Sequence, residues 1–311
     1  MDGKSKPIRG KHRSAVLFMT HEWGPIHRLR FERLRREVAG IADAFILMQK
    51  SQAVEDVVRD GDPFRRARAV FDARALPRQL GYPYAFNAKM MPGSVHYPII
   101  GFSLSSDYDF FLLVEYDVEF SGNWGEFVSA TVASSPDFAS LHFGDYAATP
   151  DWRWWRYFRA ADADRAWSAD TANLKRSFNP VFGISRRALD TIHAAHKSGW
   201  LGHHEMLLPT LVDRQGLQVT DLGQAGRFCT NASEAPARRR STVRWKPPVK
   251  AEEFLARSTG ETLFHPVKDP WYFDGRAIRM ARPTTGIADT DRTDTLPPEV
   301  ARIVPRQGES P

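Results

Sequence analysis

The sequence predicts an α/β domain, and two observations lead to this prediction. Apolar runs at residues 15–19, 44–48 and 110–114 have the length and composition of strands that are buried on both faces of a sheet. A helical pattern of apolar residues occupies 26–39, between the first two runs. A strand, a helix and a strand in this order predict a βαβ unit with a right-handed crossover.

The rest of the chain continues this alternation. After a stretch of polar helix-like segments and loops at 51–105, the pattern predicts further helices and strands in turn: helices at 124–132, 186–197 and 203–211, and strands at 138–143, 179–185 and 217–222. At the ends, residues 1–13 predict a disordered basic arm and residues 276–311 a disordered polar tail. Residues 14–275 therefore form one predicted domain.

The composition is that of a globular protein with a local excess of positive charge. The net charge is +6, and lysine and arginine are concentrated in 1–13 and in a predicted loop at 232–250. Such clusters serve solubility, or they attract an anion such as a nucleoside diphosphate, a lipid headgroup or nucleic acid. No nucleic-acid-binding motif accompanies them, so a nucleic acid partner is not expected.

The sequence also bears on location. No apolar stretch approaches the roughly 20 residues that a membrane span needs, and no secretory signal follows Met1. Cys229 is the only cysteine, which excludes an internal disulfide and a zinc cluster of cysteines. We therefore expect a cytoplasmic protein, with peripheral contact at the inner face of an anionic membrane as an open alternative.

Two carboxylates, Glu115 and Asp117, follow the apolar run at 110–114. The period-two geometry of a strand points both to the same side. In open α/β sheets, ligands bind beyond the carboxyl ends of the strands. A divalent cation and a phosphate are the ligands that this pair suits. Acids at a strand end also serve as acceptors for loop hydrogen bonds, and this alternative stays open for the pair taken alone.

Three later motifs carry further candidate residues. Gly183, in the stretch 179–189, would let the backbone approach a ligand, or it lies at a strand-to-helix corner capped by Ser185. Glu205 follows two histidines at a helix start, where the helix dipole would keep a general base ionised or where a glutamate stabilises its own helix. His265 and Lys268 could meet a metal ion and a diphosphate, and His265 alone could equally be a loop histidine.

The order of these motifs resembles that of GT-A type glycosyltransferases. The sequence around Glu115-Tyr116-Asp117 and around His265 and Lys268 is similar to that of a poorly characterised bacterial and fungal branch of these enzymes, which has Glu-Tyr-Asp in place of Asp-x-Asp. The resemblance covers about residues 15–272. It implies a GT-A-like (Rossmann-like) single domain with a central mixed, mostly parallel sheet flanked by helices. This sequence departs from the usual pattern in its first acid, in the pair His204-Glu205 and in lacking a second glycine near Gly183.

The resemblance also implies an activity and roles for residues. The activity is transfer of a sugar from a nucleotide-sugar donor to a hydroxyl of a polysaccharide, glycolipid, lipid-linked glycan or other glycan, with Mn²⁺ or Mg²⁺ as cofactor. The implied roles are metal binding by Asp117, Glu115 and His265, base catalysis by Glu205, and donor binding by Lys268, Gly183 and Tyr116.

A run of aromatic and basic residues at 151–159 predicts an acceptor site. Aromatic rings stack on sugars, and arginine binds acidic sugars or phosphates. The candidate acceptor residues are Trp152, Trp154, Trp155 and Arg156. The same composition suits a membrane interface, or a core of aromatic rings with arginines facing solvent.

Other functions remain open at this stage. A sugar nucleotidyltransferase would need a glycine-rich basic loop after the first strand, whereas residues 20–25 read Thr-His-Glu-Trp-Gly-Pro. A catalytically inactive relative and an anion-binding or nucleic-acid-binding protein are the further alternatives.

Overall fold

The computed structural model describes residues 13–50, 63–86, 93–224, 227–230, 241–258 and 260–281. A seven-stranded sheet forms its centre, in the order β3-β2-β1-β4-β7-β6-β8. The strands are β1 (Ser14–Thr20), β2 (Asp43–Gln49), β3 (Arg68–Phe71), β4 (Phe110–Glu115), β6 (Phe138–Asp145), β7 (Lys175–Ser185) and β8 (Val219–Asp221). The pairs that involve β7 are antiparallel and the others are parallel. The predicted α/β fold with a mixed, mostly parallel sheet is therefore confirmed.

Helices cover both faces of this sheet. They are α1 (Pro25–Val38), α2 (Leu76–Gln79), α3 (His96–Leu104), α4 (Trp124–Ala133), α5 (Arg165–Ala169), α6 (Arg186–Lys197), α7 (His204–Arg214) and α8 (Ala251–Arg257). Alternate residues of the strands enter two separate cores. In β1, Val16 and Phe18 pack with α1 and α4, whereas Leu17 and Met19 pack with α3, α6 and α7. This alternation explains why the strands read as continuous apolar runs.

Two short pairings bring distant parts of the chain to the end of β4. β5 (Glu119–Phe120) pairs with β9 (Leu263–Phe264), so His265 lies beside the loop after β4. The Val267 N–H donates to the Asp117 carbonyl at 2.8 Å. These contacts, formed between residues far apart in sequence, place both candidate motifs at one edge of the sheet.

A buried ionic cluster holds the loop after β4 against α1. The Arg30 guanidinium lies 2.7 Å from Glu119 and also donates to the carbonyls of Tyr116, at 3.0 Å, and Trp271, at 2.9 Å. Arg33 donates to the Phe120 carbonyl at 2.8 Å and to Glu37 at 2.9 Å. Buried charges are costly unless they are paired and hydrogen-bonded, and here α1 supplies both arginines to satisfy the acidic loop.

Most predicted elements are present, with some shifted bounds. β7 begins at Lys175, earlier than predicted, and β8 is shorter than predicted. Within 51–105 the structure adds β3 and α3. β10 (Trp271–Phe273) and β11 (Ile278–Met280) form an antiparallel pair that extends past the domain end predicted at residue 275. Residues 1–12, 231–240 and 282–311, which include most of the predicted arm and tail and part of the basic loop, lie outside the described residues.

Candidate functional site

Three side chains from two parts of the chain converge beyond the end of β4. Glu115, Asp117 and His265 each offer a ligand atom, and these atoms all lie within 4.8 Å of one another. His265 Nε2 is 3.4 Å from Glu115 Oε2 and 3.5 Å from Asp117 Oδ1. Carboxylate oxygens with one imidazole nitrogen are a donor set that suits Mn²⁺ or Mg²⁺.

Two observations show that these residues fit a divalent cation. Asp117 Oδ1 is buried and has no hydrogen-bond partner within the described part of the chain, although a buried carboxylate oxygen normally has one. His265 Nδ1 lies 2.9 Å from the Arg244 carbonyl, so this nitrogen carries the proton and donates it. Because this carbonyl holds the Nδ1 proton, loss of the Nε2 proton would leave a lone pair that faces the carboxylates, the arrangement in which a backbone carbonyl orients a metal-binding histidine.

The charges in this group act on one another. Burial raises the pKa of Glu115, and the neighbouring Asp117 carboxylate adds to this effect. Burial would also raise the pKa of Asp117, but the His265 and Lys268 cations outweigh it and lower that pKa. Burial would lower the pKa of His265, but the two carboxylates raise it. The site therefore favours a positive charge between its carboxylates, which a proton on His265 or a metal ion can supply.

Lys268 extends the site towards solvent beside the buried Tyr116. Lys268 Nζ is 2.5 Å from Asp117 Oδ2 and donates to the Tyr116 hydroxyl at 2.8 Å, while its side chain remains 47% exposed. The Tyr116 ring lies edge-on to His21 and His27, with centroids 5.0 and 5.3 Å away. The loop after β1 and the loop after β4 therefore meet beside a lysine that can reach an anionic ligand.

Glu205 lies at the start of α7, close enough for electrostatic interaction with Glu115 and His265. His203 caps this helix by accepting from the Glu205 N–H at 3.3 Å, and the Asn179 N–H donates to the Glu205 carboxylate. Burial raises the pKa of Glu205 to about 7, against the lowering effect of Arg176. The helix dipole is expected to keep Glu205 ionised, whereas burial acts in the opposite direction and favours the protonated form.

Gly183 lies inside β7, between Leu112 of β4 and Ala139 of β6. A Cβ atom on Gly183 would stand 2.4 Å from the Phe110 ring. Position 183 needs a residue without a side chain because the Phe110 ring occupies the space that a Cβ atom would take. The expected role of Gly183 in donor binding has no support in this position, because the residue contacts the core rather than the edge of the sheet.

The aromatic run at 151–159 divides into buried and accessible rings. Trp155 is buried, donates its indole N–H to the Thr149 carbonyl at 2.8 Å and packs with Leu174 and Met206. Burial of this ring leaves little of its surface for the predicted contact with an acceptor. Trp152 and Trp154 are half-buried, and Arg156 is exposed. Trp154 stacks on His203 with ring centroids 4.6 Å apart, so this run lies beside the start of α7.

The structure also reveals residues that the sequence does not single out. Arg176 lies over the Trp152 ring, at 4.7 Å, and acts on the charge of Glu205. Trp245, next to Arg244, is 66% exposed. Arg176 lies three residues before the predicted strand at 179–185 and Trp245 falls in a predicted basic loop, and only long-range contacts connect them with the site. A tryptophan close to two consecutive prolines is a sequence signal that could have drawn attention to Trp245.

Comparisons with known proteins find similar structures only. No family model and no curated protein matches the chain. The bifunctional glycosyltransferase WbbM, in its apo structure, is 11% identical with a TM-score of 0.43 over 84% of this chain, and the match covers 46% of that chain. This chain thus spans less than half the length of that protein.

Two further structures belong to related classes of protein. A putative glucose-1-phosphate thymidylyltransferase from Bacillus anthracis, in complex with sucrose, is 11% identical with a TM-score of 0.37, covering 68% of this chain and 87% of its own. Glucosyl-3-phosphoglycerate synthase from Mycobacterium tuberculosis, in complex with Mg²⁺ and uridine diphosphate, is 13% identical with a TM-score of 0.36 and covers 68% of both chains. At this level of similarity, the chemistry has to come from the side chains of the present protein.

Among the described residues, no helix combines the length and the apolar character that crossing a bilayer requires.

Proposed function

We propose that this protein is a metal-dependent glycosyltransferase that moves a sugar from a nucleotide-sugar donor to a hydroxyl group of an acceptor. One observation carries the proposal. Glu115, Asp117 and His265 converge next to a solvent-facing lysine and within electrostatic range of Glu205, and one buried Asp117 oxygen has no hydrogen-bond partner among the described residues. A cation site, an anion-binding group and a carboxylate with a pKa near neutrality are the components that such a transfer needs.

Asp117 is the principal metal ligand in this proposal, and Glu115 and His265 complete the protein's share of the coordination. A Mn²⁺ or Mg²⁺ ion held by these residues would supply Lewis-acid chemistry and would neutralise charge on a departing nucleoside diphosphate. Lys268 donates to a diphosphate oxygen, and Tyr116 packs against the donor at the same edge of the sheet.

Glu205 acts as the general base. Its carboxylate accepts the proton of the acceptor hydroxyl while the hydroxyl oxygen bonds to the anomeric carbon and the bond from that carbon to the diphosphate breaks. The electron pair of the broken bond leaves with the nucleoside diphosphate. Direct attack from the face opposite the leaving group inverts the configuration at the anomeric carbon. Because a base is most effective when its pKa lies near the working pH, a pKa of about 7 suits this role.

The acceptor approaches Glu205 along Trp152, Trp154 and Arg156. Trp154 rests on His203, whose Nδ1 is 3.7 Å from Glu205 Oε2. A sugar that contacts the exposed parts of these half-buried rings would therefore stand beside the base. This arrangement fits an acceptor that is a glycan or a lipid-linked glycan.

Metal-dependent nucleotide binding is the first test. Uridine, guanosine, adenosine and thymidine diphosphates are titrated into the protein by calorimetry, with and without Mn²⁺. We expect one of them to bind only with the metal and Asp117→Asn to weaken that binding by about a hundredfold or more, since even groups that merely support metal ligands are worth 10–100-fold. Asp190→Asn, on an exposed face of α6, is the matched control and should bind normally. Unchanged binding in Asp117→Asn contradicts the proposed metal site.

Turnover is the second test. A panel of nucleotide sugars is incubated with Mn²⁺ and mixed glycan acceptors, and released nucleoside diphosphate is measured. Glu205→Gln should lower the rate by about 10²–10⁴-fold while nucleotide binding is retained, because only the proton acceptor is lost. If the variant turns over at the wild-type rate, Glu205 is not the base and a retaining course becomes the better description.

A further inference from the structure

The structure points to a specific chemical class of acceptor, and this inference rests on the proposed function. The relevant surface is the aromatic–arginine rim, defined as Arg153, Trp154, Arg156 and Trp245. Its two parts come from the segment after β6 and from the segment that precedes α8. Contacts connect the first part with the proposed base, Glu205, and the second part with the proposed metal site.

The first part leads to the base. The Arg153 guanidinium lies over the Trp154 ring, 4.2 Å from its centroid, and Trp154 in turn stacks on His203. Burial holds the pKa of the His203 imidazole well below its usual range, and the neighbouring His204 and then Arg153 lower that pKa further. Arg153 is therefore linked to Glu205 through the Trp154 ring and the His203 imidazole.

The second part leads to the metal site. Trp245 directly follows Arg244, whose carbonyl accepts the proton of His265 Nδ1. The Trp245 ring is 5.9 Å from the Arg153 guanidinium, so Arg153 lies within cation–π distance of both tryptophans of the rim. Lys246 Nζ is 4.7 Å from the same ring and adds another positive charge.

Within the described part of the chain, the arginines of the rim have no acidic partner. Neither Arg153 nor Arg156 has a carboxylate within 4.0 Å in the described ranges, whereas their neighbour Arg159 is 3.9 Å from Asp162. Arg156 donates to the hydroxyl of its neighbour Tyr157 at 2.7 Å and lies over that ring. Guanidinium groups that are presented by aromatic rings, and left without acidic partners, are suited to bind a planar anion from solution.

The second feature of the rim is its exposed tryptophan. Trp245 is 66% exposed and therefore leaves a large apolar face in water next to these cations. A sugar ring that stacks on this face and carries a negative group would satisfy both features at once. We propose that the acceptor is an anionic saccharide, in which a carboxylate or phosphate binds Arg153 and Arg156 and a sugar ring stacks on Trp245.

The test uses matched saccharides that differ only in charge. Oligogalacturonate is compared with its neutral methyl ester of the same length, and a 6-phosphorylated glucan oligosaccharide with its unphosphorylated form. Each is titrated into the full chain by calorimetry, both alone and with nucleoside diphosphate and Mn²⁺. At least one anionic saccharide should bind about tenfold or more tightly than its neutral counterpart, and its affinity should fall with added salt. Which of the two pairs shows the difference identifies the carboxylate or the phosphate as the anionic group.

Variants assign the effect to the rim. Arg153→Gln and Arg156→Gln should each weaken binding of the anionic saccharide by about tenfold and leave the neutral one unchanged. Trp245→Ala should weaken binding of both forms, and Trp245→Phe should restore most of it. Arg36→Gln removes the same charge near the end of α1, at a side chain that is 63% exposed, and should have no effect.

Three results would overturn the inference. They are equal affinity for charged and neutral saccharides in both conditions, wild-type binding by the Arg153→Gln/Arg156→Gln double variant, and binding to vesicles of anionic phospholipid with no binding of either saccharide. Anionic binding without nucleotide that survives Asp117→Asn supports the rim independently of the metal site. Metal-dependent nucleotide binding with no anionic preference removes only the acceptor inference and leaves the proposed function standing.

Discussion

Asp117 and Glu205 are the two carboxylates with the clearest proposed roles, and opposite kinds of buried polar cluster support them. Behind Asp117 lies the ionic cluster of Arg30, Arg33, Glu37 and Glu119, which fastens the loop after β4 to α1. Behind Glu205 lies a cluster of uncharged imidazoles on the other face of the sheet. Its members are His96, His196, His203 and His204.

The histidine cluster is a column of rings rather than a set of ion pairs. His203 stacks on His204 at 4.8 Å, His204 on His96 at 6.4 Å and His96 on His196 at 4.9 Å. His196 Nδ1 donates to the Trp200 carbonyl at 3.0 Å, which leaves its Nε2 to accept from His96 Nε2 at 2.8 Å. Burial lowers the pKa of His196 to about 4 and that of His204 to about 3. These rings are therefore neutral at physiological pH.

The difference between the clusters follows from what each one supports. The loop after β4 carries two carboxylates and needs nearby positive charge, which arginines supply at any physiological pH. The start of α7 carries a glutamate whose proposed role requires a pKa near neutrality, and neutral neighbours leave desolvation as the dominant effect on that pKa. The contrast predicts different responses to charge removal and to pH.

The largest expected effect is on the ionic cluster. Glu119→Gln removes the carboxylate that lies 2.7 Å from Arg30 and 3.7 Å from Arg33, leaving two buried guanidinium groups less compensated. We expect the free energy of unfolding to fall by about 3–5 kcal/mol, measured by urea denaturation at pH 7.5. Asp274→Asn, which breaks an exposed pair with Arg279, is the control and should cause little change. If the two variants are equally stable, α1 does not depend on Glu119 for its attachment.

The histidine cluster should make the free energy of unfolding depend on pH. His96 is buried and its pKa is held well below the usual range, first by burial and then by His196. In the unfolded chain His96 takes up a proton near pH 6.5, whereas in the folded chain it stays neutral at that pH. The stability contributed by His96 is therefore present above pH 6.5 and is lost as pH falls below it. His96→Gln should therefore reduce the slope of stability against pH by about 1.4 kcal/mol per unit below pH 6.

A comparison of urea denaturation curves at pH 7.5, 6.0 and 5.0 measures this slope. The difference between wild type and variant is the informative quantity, because several carboxylates titrate over the same range. His196→Gln, which removes the partner ring, should change the slope in the same direction. Parallel stability curves for wild type and His96→Gln would contradict the inference that the cluster stays neutral.

The parts of the molecule that can be predicted from sequence are those that depend on local pattern. The strands that flank the acidic pair have apolar runs bounded by turns, and their alternation with helices specifies the α/β class. Glu115 and Asp117 are recognisable because they directly follow such a run. The convergence of His265 and Lys268 with this pair depends on the pairing of β5 with β9, which a two-residue strand does not reveal. That convergence was expected from the resemblance alone.

The parts that resist prediction depend on contacts across the sheet. Nothing local to Gly183 shows that the Phe110 ring of the neighbouring strand fills its missing side chain. The segment around Trp155 is an irregular chain with short 3₁₀ turns, so no period distinguishes the buried ring from the accessible ones. The pKa of Glu205 depends on burial by surrounding elements, and a position at a helix start predicts the opposite direction of change.

The smallest expected effect, and the one that separates the two proposed carboxylate roles most sharply, is the pH dependence of transfer. With a pKa of about 7, Glu205 is ionised to about a quarter at pH 6.5 and to about nine tenths at pH 8. The rate of nucleoside diphosphate release at saturating substrate should therefore rise about fourfold between these values.

Arg176 lowers the pKa of Glu205. Arg176→Gln should therefore move the midpoint of the pH–rate profile to higher pH and lose activity at pH 7 that returns at pH 8.5. Lys175→Gln, whose ammonium is held by Asp145 at 2.8 Å, is the matched control and should leave the midpoint in place. A profile whose midpoint stays the same in Arg176→Gln would assign the titration to a group other than Glu205, and would leave the metal-binding carboxylates as the part of the site that responds to pH.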